Sequence, residues 1–327
     1  MKKILKENLL PSLILIFIIV LFNIKLPYYI SAPGGIIDVS NRIEYKDKKD
    51  YSGSLNMLYV TEYVAILPLY LMSYIIPNWD LESIEASQVS SNETVEEIDL
   101  RNKIMLNNSI NNAKYVAYKA ANKSITEKNS KHYVIATIVD TNLKIGDEIL
   151  TVNNIKINNL NELKEIINNS KIGDKLKIKV IRNKKEKIIE EEVKEQDGTK
   201  IIGVIFMTDY EYELDPKIEL KFKKSESGSS GGMMMALTIY SAISGEDLLK
   251  GRNIAGTGTI DINGNVGEIS GIKYKVMGAH KNKMDIVLVP SANYDEAIKT
   301  KKENKYDLEI VKVDTFEDAI NYLRKSS

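Results

Sequence analysis

A serine- and glycine-rich loop that runs directly into an apolar helix constrains this chain more than any other feature. The loop covers residues 225–232 and the apolar run continues through residues 233–240. A serine at a helix N-terminus lies beside free backbone N–H groups and the positive end of the helix dipole, which can stabilise an oxyanion. An ordinary helix capped by serine explains the same pattern and, taken alone, is the simpler interpretation.

The composition restricts the chemistry that such a serine could support. The 327 residues include 0 Cys and 2 His, which are His132 and His280. Thiol nucleophiles, disulfide scaffolds, thiolate zinc sites and His-rich metal centres are therefore excluded, and we expect neither a metal nor a cofactor. Lys plus Arg equals Asp plus Glu at 45 each. This balance argues against nucleic acid as a partner.

A second glycine-rich stretch, at 255–281, changes the interpretation of the first. Asn263-Gly264 is typical of a hairpin turn between two apolar strands. A glycine-started helix follows, carrying Lys273 and Lys275.

Together the two stretches resemble the proteolytic domain of the Lon family, which uses a Ser–Lys dyad. The family's Asp-Gly-Pro-Ser-Ala-Gly motif corresponds to 227–232, its Thr-Gly-x-Ile-x-x-x-Gly-x-Val hairpin to 257–266, and its Gly-Gly-x-Lys-x-Lys helix start to 270–275. The resemblance implies Ser230 as the nucleophile and Lys275 as the base, 275 − 230 = 45 residues apart. Burial would have to lower the pKa of this lysine toward ~7–8.

The same resemblance implies supporting roles around the dyad. Thr257 matches the family threonine that hydrogen-bonds the lysine, and Gly228, Ser229 and Gly232 belong to the nucleophile loop, with Gly232 fixing the register. Lys273 is expected to face solvent.

Four positions depart from the family pattern. Ser227, Ser229, Gly231 and Ser270 replace Asp, Pro, Ala and Gly, respectively. The lost Asp is expected to alter the loop geometry, and a second serine, Ser229, stands beside Ser230.

The middle of the chain resembles a PDZ domain, whose members capture extended peptides by adding a strand to a sheet edge. The Gly-Asp-x-Ile-containing PDZ stretch corresponds to 143–154, and a later Gly-Asp to Gly173-Asp174. Between them the sequence predicts a polar-capped helix from Asn159 to Asn168. Asn154 stands where the family has Gly, and asparagine tolerates the left-handed conformation required there. We expect His132, just before this domain's first strand, to lie at the surface.

The N-terminus predicts a membrane anchor. An apolar run from Leu9 to Ile24 follows Lys2, Lys3 and Lys6, and the flank after it lacks the small residues of a secretory cleavage site. Positive charge kept inside would place the N-terminus in the cytoplasm and the catalytic part outside the cell. A cleaved signal peptide is the alternative. Residues 51–76 are too interrupted, by Glu62 and Pro68, to favour a second span.

Three other segments carry weaker signals. Residues 28–35 are typical of an extended chain that ends in a turn at Pro33-Gly34-Gly35. Residues 80–100 are acidic and polar, which indicates a surface excursion, and the alternation at 217–222 predicts a strand that leads to the serine-rich loop.

The predicted fold class is α+β, with a PDZ domain inserted in a Lon-type protease. The predicted boundaries are a membrane anchor at 1–30, an extracellular segment forming the first part of the protease at 31–121, the PDZ domain at 122–210 and the proteolytic domain with the dyad at 211–327. Three sequential units are the alternative, and contact between the helix at 97–121 and the protease core would discriminate between them.

This combination resembles the membrane-anchored, PDZ-containing Lon-like proteases of Gram-positive bacteria. The resemblance implies a serine endopeptidase whose partners are peptide or protein substrates and the cytoplasmic membrane, and it leaves a homo-oligomer open because Lon domains commonly form rings. No Gly-x-x-x-x-Gly-Lys-Ser/Thr phosphate loop occurs in the sequence, so we expect no dependence on ATP. The alternatives are a membrane-tethered PDZ scaffold with an inactive protease fold and, less favoured, a Ser–His hydrolase using His280.

Overall fold

A computed structural model describes residues 2–47, 49–90 and 93–325, with side chains from residue 8 onward. The helices are α1 (Lys2–Asn23), α2 (Leu67–Ser73), α3 (Ile84–Ser87), α4 (Val95–Ala120), α5 (Leu160–Asn169), α6 (Gly232–Ser244), α7 (Ile272–Lys281), α8 (Ser291–Asn304) and α9 (Phe316–Lys325). The strands are β1 (Lys25–Asp38), β2 (Ile43–Glu44), β3 (Ser54–Ile66), β4 (Asp80–Ser83), β5 (Ser124–Thr137), β6 (Glu148–Val152), β7 (Ile155–Lys156), β8 (Lys175–Arg182), β9 (Lys185–Glu192), β10 (Lys194–Gln196), β11 (Thr199–Ile201), β12 (Val204–Asp215), β13 (Glu219–Leu220), β14 (Asn253–Gly256), β15 (Thr259–Ile260), β16 (Val266–Gly267), β17 (Ile286–Pro290) and β18 (Glu309–Val313).

A mixed sheet in the order β18-β17-β14-β3-β1-β4 organises one half of the molecule. We call it the catalytic half because it contains Ser230 and Lys275, the residues predicted to be catalytic. Strands β3, β14, β17 and β18 run parallel, while β1 is antiparallel to both β3 and β4. Strands from before residue 67 and from after residue 252 therefore share one sheet.

Helices cover both faces of this sheet because successive strand residues point to opposite sides. Ile286 and Leu288 pack with α4, α6 and α9 on one face, whereas Val287 and Val289 pack with α7 and α8 on the other. The result is a mixed α/β arrangement in three layers, with α6 buried in the larger core.

A second sheet, in the order β12-β5-β6-β8-β9, contains the main strands of residues 130–193 together with β12. Helix α5 packs on the core of this sheet. Asn153 and Asn154 have φ of 48° and 67°, which confirms the left-handed conformation predicted where the PDZ pattern has Gly. The predicted helix here also forms, with the Asn159 side chain accepting from two N–H groups of its first turn.

A long ribbon joins the two sheets. β5 and β12 pair antiparallel from Ser124↔Asp215 to Thr137↔Val204, so the chain leaves and re-enters the catalytic half at neighbouring points. Helix α4, from before this excursion, packs on α6, from after it. This contact favours an inserted PDZ domain over three sequential units.

The N-terminal prediction is not supported. Over the described ranges, no helix combines the length and hydropathy needed to cross a membrane. Lys2, Lys3 and Lys6, which set the predicted orientation, have side chains outside the described part of the chain.

The Pro33-Gly34-Gly35 segment forms no turn, contrary to the interpretation of 28–35 as extended chain followed by a turn. It lies inside β1, where the register with β3 shifts between Pro33 and Ile36. A Cβ at Gly34 would lie 1.9 Å from the Tyr59 carbonyl oxygen, and one at Gly278 would lie 3.3 Å from the Gly34 backbone. The glycines are therefore needed so that β3 and α7 can approach β1 closely.

Three further sequence predictions were wrong. Residues 80–83 are not a surface excursion but β4, the edge strand beside β1. The strand predicted at 217–222 shortens to Glu219–Leu220, paired with β2. His132 is not at the surface: it is 2% exposed, because the alternation of β5 turns it inward with Val134 and Ala136.

Candidate active site

The nucleophile loop ends where α6 begins. Ser230 lies two residues before Gly232, the first residue of α6, and is partly exposed. Gly228 has φ +90°, and its N–H donates to the Asn102 carbonyl of α4 at 2.9 Å. The Gly232 N–H donates to the Ser229 carbonyl at 3.1 Å, so the loop turns sharply into the helix.

The small residues of this loop are required by its neighbours. A Cβ at Gly232 would lie 2.6 Å from Ser109 Oγ and 3.0 Å from the Ile260 backbone nitrogen. At Gly231, where the Lon pattern has Ala, a Cβ would lie 2.7 Å from the Met57 sulfur. Glycine at position 231 therefore matches the close approach of β3.

Lys275 lies in the first turns of α7 and is 3% exposed. Its Nζ donates to Thr257 Oγ1 at 2.9 Å, and the Thr257 hydroxyl in turn donates to the Ser230 carbonyl at 3.0 Å. Thr257 itself is fully buried. The structure thus connects Lys275 to the backbone of Ser230 through Thr257.

Burial lowers the pKa of Lys275 to about 8 from its ordinary value of 10.5, with Glu62 acting in the opposite direction. The Glu62 pKa is raised, first by desolvation and then by Glu82, while Lys275 lowers it. A lysine with this pKa is partly in its neutral amine form near pH 8. Lys275 can therefore accept a proton at that pH.

A groove of ≈ 1120 Å³ opens beside the nucleophile loop. Its walls come from β3, the N-terminal half of α4 and the loop, and include Tyr59, Glu62, Asp99, Asn102 and Ser227. Ser227, which replaces the Asp of the Lon pattern, is exposed here.

The two other candidate groups on α7 have different surroundings. Lys273 does not simply face solvent: its Nζ lies 2.8 Å from Asp80 Oδ2, and the side chain is 39% exposed. The same Asp80 oxygen accepts from the Tyr274 hydroxyl. These two hydrogen bonds lower the pKa of Asp80.

His280 lies at the far end of α7, exposed, and stacks on Tyr306 with ring centroids 4.0 Å apart. Five residues of helix separate it from Lys275, a rise of about 7.5 Å. The geometry therefore gives no support to a Ser–His hydrolase.

Two kinds of contact are absent from the described part of the site. No hydrogen bond joins Ser230 Oγ to Lys275 Nζ among the described contacts. The described residues also contain no group of three or more His, Cys, Asp or Glu side chains placed to hold a metal ion.

Sequence reasoning missed the contribution of α4 to this site. Ser109 Oγ donates to the Ser229 carbonyl at 3.1 Å, and Asn112 Nδ2 donates to the Ile260 carbonyl at 3.1 Å. The available signal was a serine in line with Met105 and Ala113 at helical spacing, which puts a polar side chain on a buried helix face.

Models of two known families match two segments of the chain. Residues 223–325 match the Lon protease (S16) C-terminal proteolytic domain, and residues 130–193 match the PDZ domain. A Lon-type proteolytic domain and a PDZ domain are therefore present in this chain.

Curated relatives agree with the first match. Lon protease of Mesomycoplasma hyopneumoniae is 35% identical over 100 residues, covering 31% of this chain and 11% of that protein. Lon protease of Campylobacter concisus is 36% identical over 96 residues, covering 29% and 12%. The matched region thus spans about a tenth of those relatives, and supports a serine peptidase of Lon type.

A solved PDZ domain of an SdrC-like protein from Listeria monocytogenes is 22% identical, covering 25% of this chain and 92% of that one. Its TM-score of 0.22 is too low to support a shared fold.

Proposed function

We propose that this chain is an ATP-independent serine endopeptidase in which Ser230 is the nucleophile and Lys275 is the general base. The observation that carries the proposal is the buried Lys275, whose pKa is lowered to about 8 and whose Nζ is connected through Thr257 to the Ser230 backbone. A buried lysine without a carboxylate partner is suited to proton transfer rather than to a structural ion pair.

In the proposed reaction, Ser230 Oγ attacks a peptide carbonyl carbon while neutral Lys275 takes the hydroxyl proton. The resulting ammonium returns a proton to the leaving amine, the C–N bond breaks and an acyl-enzyme remains. Water then attacks the ester, Lys275 again accepts the proton, and the acid product leaves. The chain offers no phosphate loop, so we expect substrates that are already exposed or flexible.

Labelling by a serine-directed activity probe tests the dyad. The wild-type protein and the Ser229→Ala variant should label and cleave an unstructured protein, and the Ser230→Ala variant should do neither. A labelled Ser230→Ala protein beside an unlabelled Ser229→Ala protein would shift the register by one residue. Equal labelling of all three would contradict both Ser229 and Ser230 as the nucleophile.

A second candidate is a PDZ scaffold with an inactive protease fold. The missing Ser230–Lys275 hydrogen bond and the substituted loop favour it. Catalytic hydrogen bonds often tighten only when substrate binds, so this geometry does not exclude activity. Absence of labelling and cleavage, together with retained peptide binding, would establish the scaffold.

We propose that the PDZ domain captures substrate. Its sheet ends at β12, and Ile205 on that strand is 40% exposed, an edge to which an extended peptide can add. Replacing residues 123–208 by a short flexible linker should leave a folded core with poor substrate selection, because Ser124 and Asp215 pair at the base of the ribbon and residues 209–215 can lengthen the bridge. A core that cannot fold when bridged in this way would favour sequential units.

Location at the outer surface of the cytoplasmic membrane stays a prediction from the sequence, and so does a homo-oligomer. Supporting the former, α1 exposes apolar side chains along its length, such as Leu10 at 67% and Phe17 at 62%. Protease added to intact wall-stripped cells should digest the domains. Full protection would place them elsewhere.

A further inference from the structure

A buried serine in the middle of α4 makes a contact that ordinary helix packing does not require. Ser109 is 2% exposed. A helix-interior serine commonly turns its hydroxyl back to the carbonyl four residues earlier. Here Oγ instead donates across 120 residues of sequence to the Ser229 carbonyl, at 3.1 Å.

The acceptor belongs to the peptide unit that precedes the proposed nucleophile. In a planar trans peptide the carbonyl of one residue and the N–H of the next point in opposite directions. Because the Ser229 carbonyl is directed toward Ser109 and the Gly232 N–H, the Ser230 N–H is directed away from both. Within the described chain no acceptor takes this N–H.

Peptide units before and after the 229–230 peptide are held as well. On one side the Gly228 N–H donates to the Asn102 carbonyl at 2.9 Å. On the other, the Ser230 carbonyl accepts from the Gly258 N–H at 2.7 Å and from Thr257 Oγ1. Rotation of the 229–230 peptide is therefore opposed from both ends, and Ser109 supplies the side-chain contact made to that peptide itself.

We infer that Ser109 is a positioning residue: its hydroxyl fixes the 229–230 peptide so that the Ser230 N–H is ready to donate to the oxyanion of the tetrahedral intermediate. The inference rests on the proposed function. A preorganised donor contributes more in the transition state than in the bound substrate. Loss of the hydroxyl should therefore lower kcat and leave KM nearly unchanged.

Kinetics of the Ser109→Ala variant in the full chain test this inference. Removing one oxyanion donor outright costs about 10²–10³ in kcat, and loosening it should cost roughly tenfold or more. The affinity for a peptide boronate, which forms a tetrahedral adduct on serine, should fall by about the same factor as kcat/KM. The Ser109→Thr variant, which keeps the hydroxyl, should recover much of the loss.

Ser241→Ala is the matched control. Ser241 is also buried, at 4% exposure, and its Oγ donates to a backbone carbonyl, that of Glu246, at 2.7 Å near the far end of α6. Its loss should lower the Tm as Ser109→Ala does while kcat stays unchanged.

Three results would overturn the inference. They are wild-type kcat in Ser109→Ala, a rise in KM alone, or an equal loss of kcat in Ser241→Ala, which would point to general weakening of the core. A wild-type protein no more active than Ser230→Ala would instead refute the proposed function, and the inference would fall with it.

Discussion

Two cations, the partly exposed Arg182 and the buried Lys275, lie one in each half of the molecule and have opposite surroundings. In the PDZ half, the Arg182 guanidinium donates to both oxygens of Asp147, at 2.7 and 2.6 Å, and Asp147 is fully buried. In the catalytic half, Lys275 has the hydroxyl of Thr257 as its partner, and the described residues provide no carboxylate within ion-pair distance.

The difference separates a structural charge from a reactive one. The carboxylate of Asp147 raises the pKa of Arg182 and keeps it charged, whereas burial lowers that of Lys275 to about 8. A charge with a bidentate partner holds two segments together, and removing one partner leaves the other uncompensated. For a buried cation that lacks a carboxylate partner, the neutral form is favoured. This is the property that a general base needs.

Replacing the reactive cation tests this comparison most strongly. Lys275→Met should reduce kcat/KM for peptide cleavage by about 10³-fold or more, because a dyad acts as a unit. Folding stability should stay level or rise, since the variant removes a buried amine that has no carboxylate partner. Cleavage assays and thermal unfolding measure the two effects.

Lys273→Ala is the control on the same helix. Its ammonium is paired with Asp80 and 39% exposed, so cleavage should persist. An active Lys275→Met variant, or an inactive Lys273→Ala variant, would reverse the assignment of the two lysines.

The structural cation should respond in the opposite way. Asp147→Ala removes the partner of the partly exposed Arg182 guanidinium, and losing hydrogen bonds to a charged group costs about 1.5–3 kcal/mol of unfolding free energy. Urea unfolding should show this loss while Ser230 still labels with the activity probe. Asp174→Ala, in the other Gly-Asp pair, is the control, because its exposed carboxylate accepts from the Lys171 N–H and makes no ion pair in the described chain. Equal losses would contradict the distinction.

The parts of the fold that could be predicted from the sequence are those that depend on local patterns. The 263–264 turn, the Asn159-capped helix and the left-handed Asn154 each depend on neighbours in the chain, and each forms as expected. His132 and the Gly34-Gly35 pair were misread because their roles come from distant elements: β12 and the sheet core for His132, and β3 and α7 for the glycines.

The candidate site follows the same rule. Motif order points to Ser230 and Lys275, and burial of the lysine could be anticipated from its apolar surroundings. Glu62 and Ser109 carry no motif, because they reach the site from a strand and a helix that precede the PDZ excursion and lie far in sequence from Ser230 and Lys275. Their contribution requires the tertiary structure.

The pH dependence sharpens the comparison further. Activity should rise with pH along a limb with an apparent pKa of about 8, as Lys275 loses its proton. The pKa of Lys275 in the folded state lies below its ordinary value of 10.5, so between about pH 8 and 10.5 the unfolded chain binds more protons. Wild-type stability should therefore rise relative to Lys275→Met across that window. A limb near pH 6.5 would indicate a histidine base instead.

The smallest expected effect concerns the carboxylate that opposes the lowered pKa. Glu62 raises the pKa of Lys275 through its charge, so Glu62→Gln should move the activity limb to lower pH with little change in the plateau. Glu82→Gln is the control. Glu82 raises the pKa of Glu62 but is not among the charges that act on Lys275, so the activity limb of the Glu82→Gln variant should stay in place. The pH profile of kcat/KM for the three proteins decides the matter. A limb that stays in place in Glu62→Gln would mean that burial alone sets the proton affinity of Lys275, and a limb that moves equally in both variants would mean that the tuning is not specific to Glu62.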